Sequence, residues 1–594
     1  MNRHSGNHGR GAALAAGSSA AFAVAVGLVI AIRPRLLIDP DPSWALARLL
    51  LTLFVLAAAA GAGVATSAAL HLWGRTRAVA ERLPGLPLSA GALLCVAAAA
   101  LLLGTVARFE ALDRLPAPLW VDDLSLIAPA LSLHGDARDF ADPIRAVPFG
   151  LPRPYGSVGV LYLELYRWSL LLFGTTVFGV RFLSAAAGVL SIATAIALAR
   201  ALLPRGGGTL AGLAIAGMRW HLILSRWGWN AIVLVPLLDL AALLLVRARQ
   251  RRSVAAAAAA GLLAGIGAHI YLAAWVALAA LAVFLAWPGS GLTRRWRLGA
   301  CGLFVAMFLL AASPLYLPGP GKTPYFRRAG QHNVLVEIRR QRSFAPLFSS
   351  AATALAAPWF LADPSPWNDL PGRSRLGWIL GICVAAALAR SLFRPREELS
   401  GFLLAHAGAA FASTVVWGTE MQPNGYRVAY LTTVTAVAAA AGALSLLALL
   451  SERARRAGAI ATVGLLAISG ALAARDLFLR WGPMLEAWEG YQGRDNLVAS
   501  SILRWQRYGP VRVDPRLSRI LANETTSYVD LLVRYRLDAG GPAPPGPSPP
   551  RGDSPHRDFR LIPATQVPRA GERVVEVVRD GRGTTWALML GARR

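Results

Sequence analysis

Apolar runs long enough to cross a membrane recur along most of this chain, and they constrain its fold more than any other feature. A helix needs ~20 apolar residues to span the hydrocarbon. Runs of that kind lie near 12–32, 46–72, 88–107, 180–203, 209–225, 231–246, 254–268, 272–287, 299–317, 376–393, 400–417, 428–450 and 457–474. These thirteen runs predict an all-α polytopic membrane protein. Composition agrees, because 55% of residues are hydrophobic and only 15% are charged, against about 25% charged in a soluble domain. Cys95, Cys301 and Cys383 all fall inside apolar runs, so neither a disulfide framework nor a zinc spacing is available. The first run lies between Arg3/Arg10 and Arg33/Arg35 without a small-residue cleavage site. It is expected to stay as a span rather than leave as a signal peptide.

The net charge of +28 raises the question of an acidic partner. The arginines, however, form short clusters between the apolar runs, the pattern of cytoplasmic loops, and no nucleic-acid partner is called for. Arg75, Arg77 and Arg82, then Arg247, Arg249, Arg251 and Arg252, then Arg294, Arg295 and Arg297, then Arg394 and Arg396, and finally Arg453, Arg455 and Arg456 mark the inner side. A further apolar run, 155–174, breaks this parity if it crosses. Glu164 and Arg167 lie three apart on one helical face within it, so it is read as a helix on or dipping into the outer surface. The N-terminus is then cytoplasmic, the C-terminus extracytoplasmic, and every Arg-rich loop but Arg33/Arg35 falls inside. Outside lie a loop at 108–154, a loop at 318–375, and a tail from 475 onward. Long loops of this kind are usually functional or separately folded. The tail is read as a small α/β or α+β domain with strands at 572–579 and 584–590, and Ala539–Pro555 as a Pro/Gly linker.

A proton-coupled pump needs acids within the bilayer. Apart from Asp239, whose plain reading is a helix–helix hydrogen bond, the acids gather in the first outer loop: Glu110, Asp113, Asp122, Asp123, Asp136, Asp139 and Asp142. The pair Asp122–Asp123, set among apolar neighbours in Leu119–Leu124, suits a general base, a cation site or a helix N-cap. Lys322, Arg327 and Arg328 follow the ninth run, with Arg339, Arg340 and Arg342 beyond them, and Arg427 opens the twelfth. Cations on the outer side suit a phosphate or anionic headgroups. Arg226 and Asn230, in Ser225–Asn230, and His269 and Tyr271, at the next outer turn, are candidate substrate contacts.

These segments resemble a known family in their order. Arg108-Phe109, Leu112-Asp113, Leu115-Pro116 and Leu119–Asp123 are similar to the first outer loop of GT-C membrane glycosyltransferases, in particular bacterial family 39-like enzymes, which include protein O-mannosyltransferases and lipid A aminoarabinose transferases. Leu172–Gly174 with Val180–Leu183, His221–Asn230, Gly267–Trp275, Pro364–Arg373 and Pro423–Arg427 continue the likeness over roughly residues 100–450. The departures are Val121 and Asp123 in the family's His-Asp-Glu, Asn230 and Trp275 where it has arginine, and His269 where it has tyrosine.

The resemblance implies a GT-C-type bundle with two N-terminal transmembrane helices over 1–87, a catalytic membrane module over 88–474 (outer loops 108–179 and 318–375) and the tail domain 475–594. It implies sugar transfer, with inversion, from a polyprenyl-phosphate donor to a lipid, glycan or protein acceptor at the outer face of a bacterial inner membrane. On that reading Asp122 is the general base, with Asp123 orienting acceptor or base. Arg327, Arg328 and Arg427, with Lys322 behind them, meet the donor phosphate. No cofactor is required, and a divalent cation is compatible with the aspartate pair. The competing classes are a lipid or solute transporter, which needs polar groups along a path through the bilayer, and a non-catalytic envelope scaffold.

Overall fold

The computed structural model of the chain describes residues 83–116, 119–131, 159–289, 291–315, 333–363, 365–417, 425–491, 493–506, 508–514, 532–533, 559–569, 572–579 and 585–592. The runs expected to span near 12–32 and 46–72 lie outside the described residues, as does the linker 539–555. The described helices are α1 (Ala90–Phe109), α2 (Val121–Ser125), α3 (Ile127–Leu131), α4 (Val160–Phe173), α5 (Val177–Leu202), α6 (Gly207–Ala216), α7 (Arg219–Leu224), α8 (Asn230–Arg251), α9 (Val254–Gly267), α10 (Ala274–Ala286) and α11 (Arg294–Ala312). After them come α12 (Val334–Gln341), α13 (Ala345–Ala356), α14 (Gly377–Phe393), α15 (Glu398–Val416), α16 (Leu431–Ala448), α17 (Glu452–Arg475), α18 (Leu485–Gly490) and α19 (Gly493–Trp505).

Seven of the described helices are long and apolar enough to cross a membrane: α1, α5, α8, α11 with its extension to Leu315, α15, α16, and α17 with its π-helical continuation to Trp481. Shorter apolar helices of 10–17 residues (α6, α9, α10, α13 and α14) accompany them. Polar caps set where several begin. Ser89, Thr176, Ser253 and Thr293 each accept a backbone N–H of the first turn, at 3.0–3.2 Å, satisfying a donor that a helix start otherwise leaves bare.

In lipid, helices associate through close packing and buried hydrogen bonds rather than through water exclusion. Helix α9 meets α11 across Gly261 and Gly265, four residues apart. A Cβ on either would lie 2.2 Å from the Phe304 carbonyl oxygen or 2.5 Å from that of Phe308. Asp239 on α8 accepts from Thr194 of α5 at 2.5 Å and from Thr433 of α16 at 2.8 Å, which is the helix–helix role expected for it. Arg249, one of the arginines expected to mark the inner side, is buried and donates to the carbonyls of Phe284, Leu285 and Trp287 at the end of α10.

Two apolar runs shape the site, and only the first departs from the sequence reading. The run 209–225 is not one helix. It divides at Gly217–Met218 into α6 and α7 because Arg219 lies within it, and a buried guanidinium must turn toward partners. The run 155–174 appears as α4, a helix of 14 residues. It packs on α5 and is not among those long and apolar enough to cross, and Arg167 pairs with Glu164 at 3.6 Å along its face.

Beyond α19 lies a four-stranded sheet of β1 (Val511–Val513), β2 (Phe559–Pro563), β3 (Glu572–Arg579) and β4 (Thr585–Ala592), in the order β1-β2-β4-β3. Strand β1 runs parallel to β2, with Val511 opposite Phe559, while β4 is antiparallel to β2 and to β3. Glu576 of β3 accepts from Ser501 and Arg504 at 3.0 Å, tying the sheet to α19.

Candidate active site

The separated motifs of the sequence meet at one end of the bundle. Asp123 sits in α2, 2% exposed, and its carboxylate accepts the Trp120 backbone N–H at 3.3 Å. One of the roles open to the aspartate pair, closing the start of α2, is thus met by Asp123. Tyr166 on α4 donates to the Asp123 backbone carbonyl at 2.8 Å, and Tyr162, one turn earlier, donates to the Gly228 carbonyl at 2.7 Å. Gly228 belongs to Ser225–Asn230. A Cβ there would lie 2.7 Å from Val180 Cγ1 and 3.2 Å from Asp123 Cγ, so only glycine lets this turn pass between α5 and the aspartate. The carboxylate of Asp122 lies outside the described residues.

Aromatic rings join these turns into one wall. Trp120 lies 5.1 Å from Trp227, 5.7 Å from Tyr491 and 5.8 Å from Trp367 between ring centres, and Trp227 lies 6.3 Å from Tyr426. The rings come from the first loop, Ser225–Asn230, Pro364–Arg373, Pro423–Arg427 and the segment after 475. Burial, with the charge of Asp123 added, holds the Tyr491 phenol well above its ordinary range, so it stays protonated. Its hydroxyl donates to the Trp367 carbonyl at 3.2 Å.

Arg427 follows Tyr426 on a short 3-10 turn, Tyr426–Val428. Its guanidinium lies 4.4 Å from the Trp417 ring centre and 5.7 Å from that of Tyr426. It is 9% exposed, and its buried Nη1 has no hydrogen-bond partner. A buried donor of this kind is costly when left unmet. Aromatic faces steady its charge, and Nη1 is the donor that an anion could meet. Lys322, Arg327 and Arg328, the other expected phosphate contacts, lie outside the described residues.

The remaining candidates differ from expectation. Arg226 is fully buried and donates to the carbonyls of Ala107, Arg108, Glu110 and Leu115 at 2.7–3.2 Å. Its donors are spent on the end of α1 and the turn after it, so it is a structural group and not a substrate contact. His269 directs Nε2 at the Ala311 carbonyl, 2.8 Å away, and burial holds its imidazole below the ordinary range. Its own carbonyl accepts the Tyr162 N–H at 3.3 Å, so His269 joins α4, the turn between α9 and α10, and α11. Asn230 donates to the Ile270 carbonyl at 2.9 Å, locking Ser225–Asn230 to that same turn, where Tyr271 is buried.

One cluster escaped the sequence reading. Arg219 pairs with Asp369 through two bonds of 2.7 and 3.2 Å, donates to the Ser374 carbonyl at 2.8 Å and lies 3.6 Å from Asp476. Beside it, Asp363 accepts from the Ser365 N–H and Asn368 and lies 3.6 Å from Arg375. Burial raises the Asp363 carboxyl despite these partners. An arginine inside an apolar run was the available signal. Among the described residues, no group of three or more His, Cys, Asp or Glu side chains gathers as metal ligands.

Fold and site together define a polytopic membrane protein whose polar, aromatic-walled site is built from loops at one end of the helix bundle. A family model described as dolichyl-phosphate-mannose-protein mannosyltransferase matches residues 160–316, and the chain resembles the GT-C membrane glycosyltransferases, as its motifs indicate. ArnT from Cupriavidus metallidurans in the apo state is similar with a TM-score of 0.48 at 15% identity, over 84% of this chain and 98% of that one. The same protein bound to undecaprenyl phosphate gives 0.44 at 14%, over 85% and 98%. The oligosaccharyltransferase AglB from Archaeoglobus fulgidus, in complex with an inhibitory peptide and a dolichol-phosphate, gives 0.42 at 15%, over 69% and 58%. No curated protein sequence matches significantly.

Proposed function

We propose that this protein is an inverting membrane glycosyltransferase that takes a sugar from a polyprenyl-phosphate donor and passes it to an acceptor at the extracytoplasmic face of a bacterial inner membrane. The observation that carries the reading is Arg427, a buried arginine whose Nη1 has no hydrogen-bond partner, held on aromatic rings beside the wall that Trp120 and Trp227 form.

In this reading the isoprenoid tail stays in the bilayer and the donor phosphate meets Arg427, with Lys322, Arg327 and Arg328 as further contacts. The acceptor heteroatom attacks the anomeric carbon from the face opposite the phosphate. Asp122 takes its proton as the bond from carbon to phosphate oxygen breaks and the electron pair leaves on the phosphate. Arg427 stabilises that growing charge; losing one such preorganised donor typically costs about 10²–10³ in rate. Asp123, Tyr162 and Tyr166 hold the turn that carries the base, and the tail supplies Tyr491 to the wall.

Mass spectrometry of envelope lipids, glycans and glycoproteins from a deletion strain tests this. A sugar modification should be missing, should return with the unaltered gene, and should stay missing with Asp122→Asn expressed at equal level. Restoration by Asp122→Asn removes that residue from the mechanism.

A further inference from the structure

Helix α13 is apolar and 12 residues long, about 18 Å at 1.5 Å per residue, too short for a ~30 Å hydrocarbon core. One of its faces packs inward through Pro346, Ser350 and Ala357, all buried. The opposite stripe, Phe344, Phe348, Ala352 and Leu355, is spaced as one helical face and is exposed; Phe344 stands at 66%, Phe348 at 70% and Leu355 at 65%. Helix α12 before it repeats the arrangement. Val334 and Glu337 are buried, while Leu335 and Val336 are exposed, and Arg339, Arg340 and Arg342 are exposed at its end.

Two observations say what covers this face. Three arginines directly precede the phenylalanine stripe, so one surface offers cations beside large apolar side chains, the composition of a helix lying in an anionic membrane interface. The face is also continuous with the outer surface of the bundle. Both helices pack on α15, whose Phe411 and Val416 are exposed, and Trp359 lies against Gly381 of α14, near the exposed Trp378 and Ile382.

We propose that residues 333–361 form an interfacial anchor that beds its phenylalanine stripe in the headgroup and upper acyl region of a phospholipid leaflet, with Arg339, Arg340 and Arg342 on anionic headgroups.

The test uses the full chain with Cys95, Cys301 and Cys383 changed to alanine, carrying Phe348→Cys labelled with an environment-sensitive NBD fluorophore. The labelled protein is reconstituted in phosphatidylcholine vesicles with and without phosphatidylglycerol. Val567→Cys, at an 86% exposed position in the tail, is the reference. The anchor predicts at least twofold stronger quenching by lipids spin-labelled high on the acyl chain at 348 than at 567, with iodide quenching only 567. Lipid quenching at 348 should rise with phosphatidylglycerol, and Arg339→Gln, Arg340→Gln and Arg342→Gln together should abolish that rise. Iodide quenching at 348 equal to that at 567 overturns the proposal. So does shielding of 348 from both quenchers, the sign of a protein cover, or lipid quenching indifferent to phosphatidylglycerol.

Discussion

Arg219→Met should destabilise the bundle far more than a surface substitution, and for a reason that a second substitution exposes. Arg219 and Asp369 are 8% and 4% exposed and share two hydrogen bonds. With the guanidinium gone, Asp369 keeps the Leu370 N–H at 2.7 Å but no cation in contact. Asp476 retains Arg373 at 3.6 Å and Arg480 at 3.5 Å, so most of the loss falls on Asp369. Removing one partner of a buried pair costs about 3–5 kcal/mol, whereas replacing both with apolar groups is often neutral. Arg219→Met should therefore lose about 3–5 kcal/mol, and Arg219→Met with Asp369→Leu should recover most of it. Unfolding in mixed micelles of rising denaturing-detergent fraction, followed by tryptophan fluorescence, measures both. If the single variant is as stable as the double, Asp369 does not depend on Arg219 and the reasoning fails.

Gly228→Ala would set a methyl group 2.7 Å from Val180 Cγ1 and 3.2 Å from Asp123 Cγ. A loss of about 1–3 kcal/mol from overpacking and a loss of sugar transfer in the complemented strain should follow; an active variant of unchanged stability contradicts the packing. Tyr166→Phe removes the donor to the Asp123 carbonyl, so hydrogen exchange across Val121–Ser125 should quicken by an amount equivalent to about 1 kcal/mol. In the tail, bonds from Arg560 hold the Glu572 carboxyl below its ordinary range. The pair's contribution is thus present above the unfolded carboxyl's value of about 4.3 and lost as pH falls through the folded one. Protection of β2–β4 amides, corrected for intrinsic exchange, should fall in that acid window, and Glu572→Gln should flatten the response.

Much of the bundle was legible because apolar length and caps are local properties. The run read as 88–107 is Ala90–Phe109, the one read as 457–474 lies within Glu452–Arg475, and the strand read as 572–579 is Glu572–Arg579. The run 209–225 failed because hydropathy averaging hid Arg219, whose partners Asp369 and Asp476 are more than 140 residues away. For the site, the ordered motifs named the turns that come together, and Arg427 lies beside them on the rings of Trp417 and Tyr426. Individual roles were less visible. Arg226 looks like a substrate contact until the backbone carbonyls around it are seen. Tyr162, Tyr166 and Tyr491 carry no local signal, since they act on Gly228, Asp123 and Trp367 across the fold.

Binding of the lipid carrier itself tests the central claim most directly, because it needs no knowledge of the sugar. Native mass spectrometry of the purified protein, titrated with a polyprenyl phosphate, should find saturable binding. Arg427→Met should weaken that binding at least tenfold, since a hydrogen bond to a charged group is worth about 1.5–3 kcal/mol and each 1.4 kcal/mol is a factor of ten. Absence of binding by the unaltered protein, or equal binding by Arg427→Met, would contradict the account.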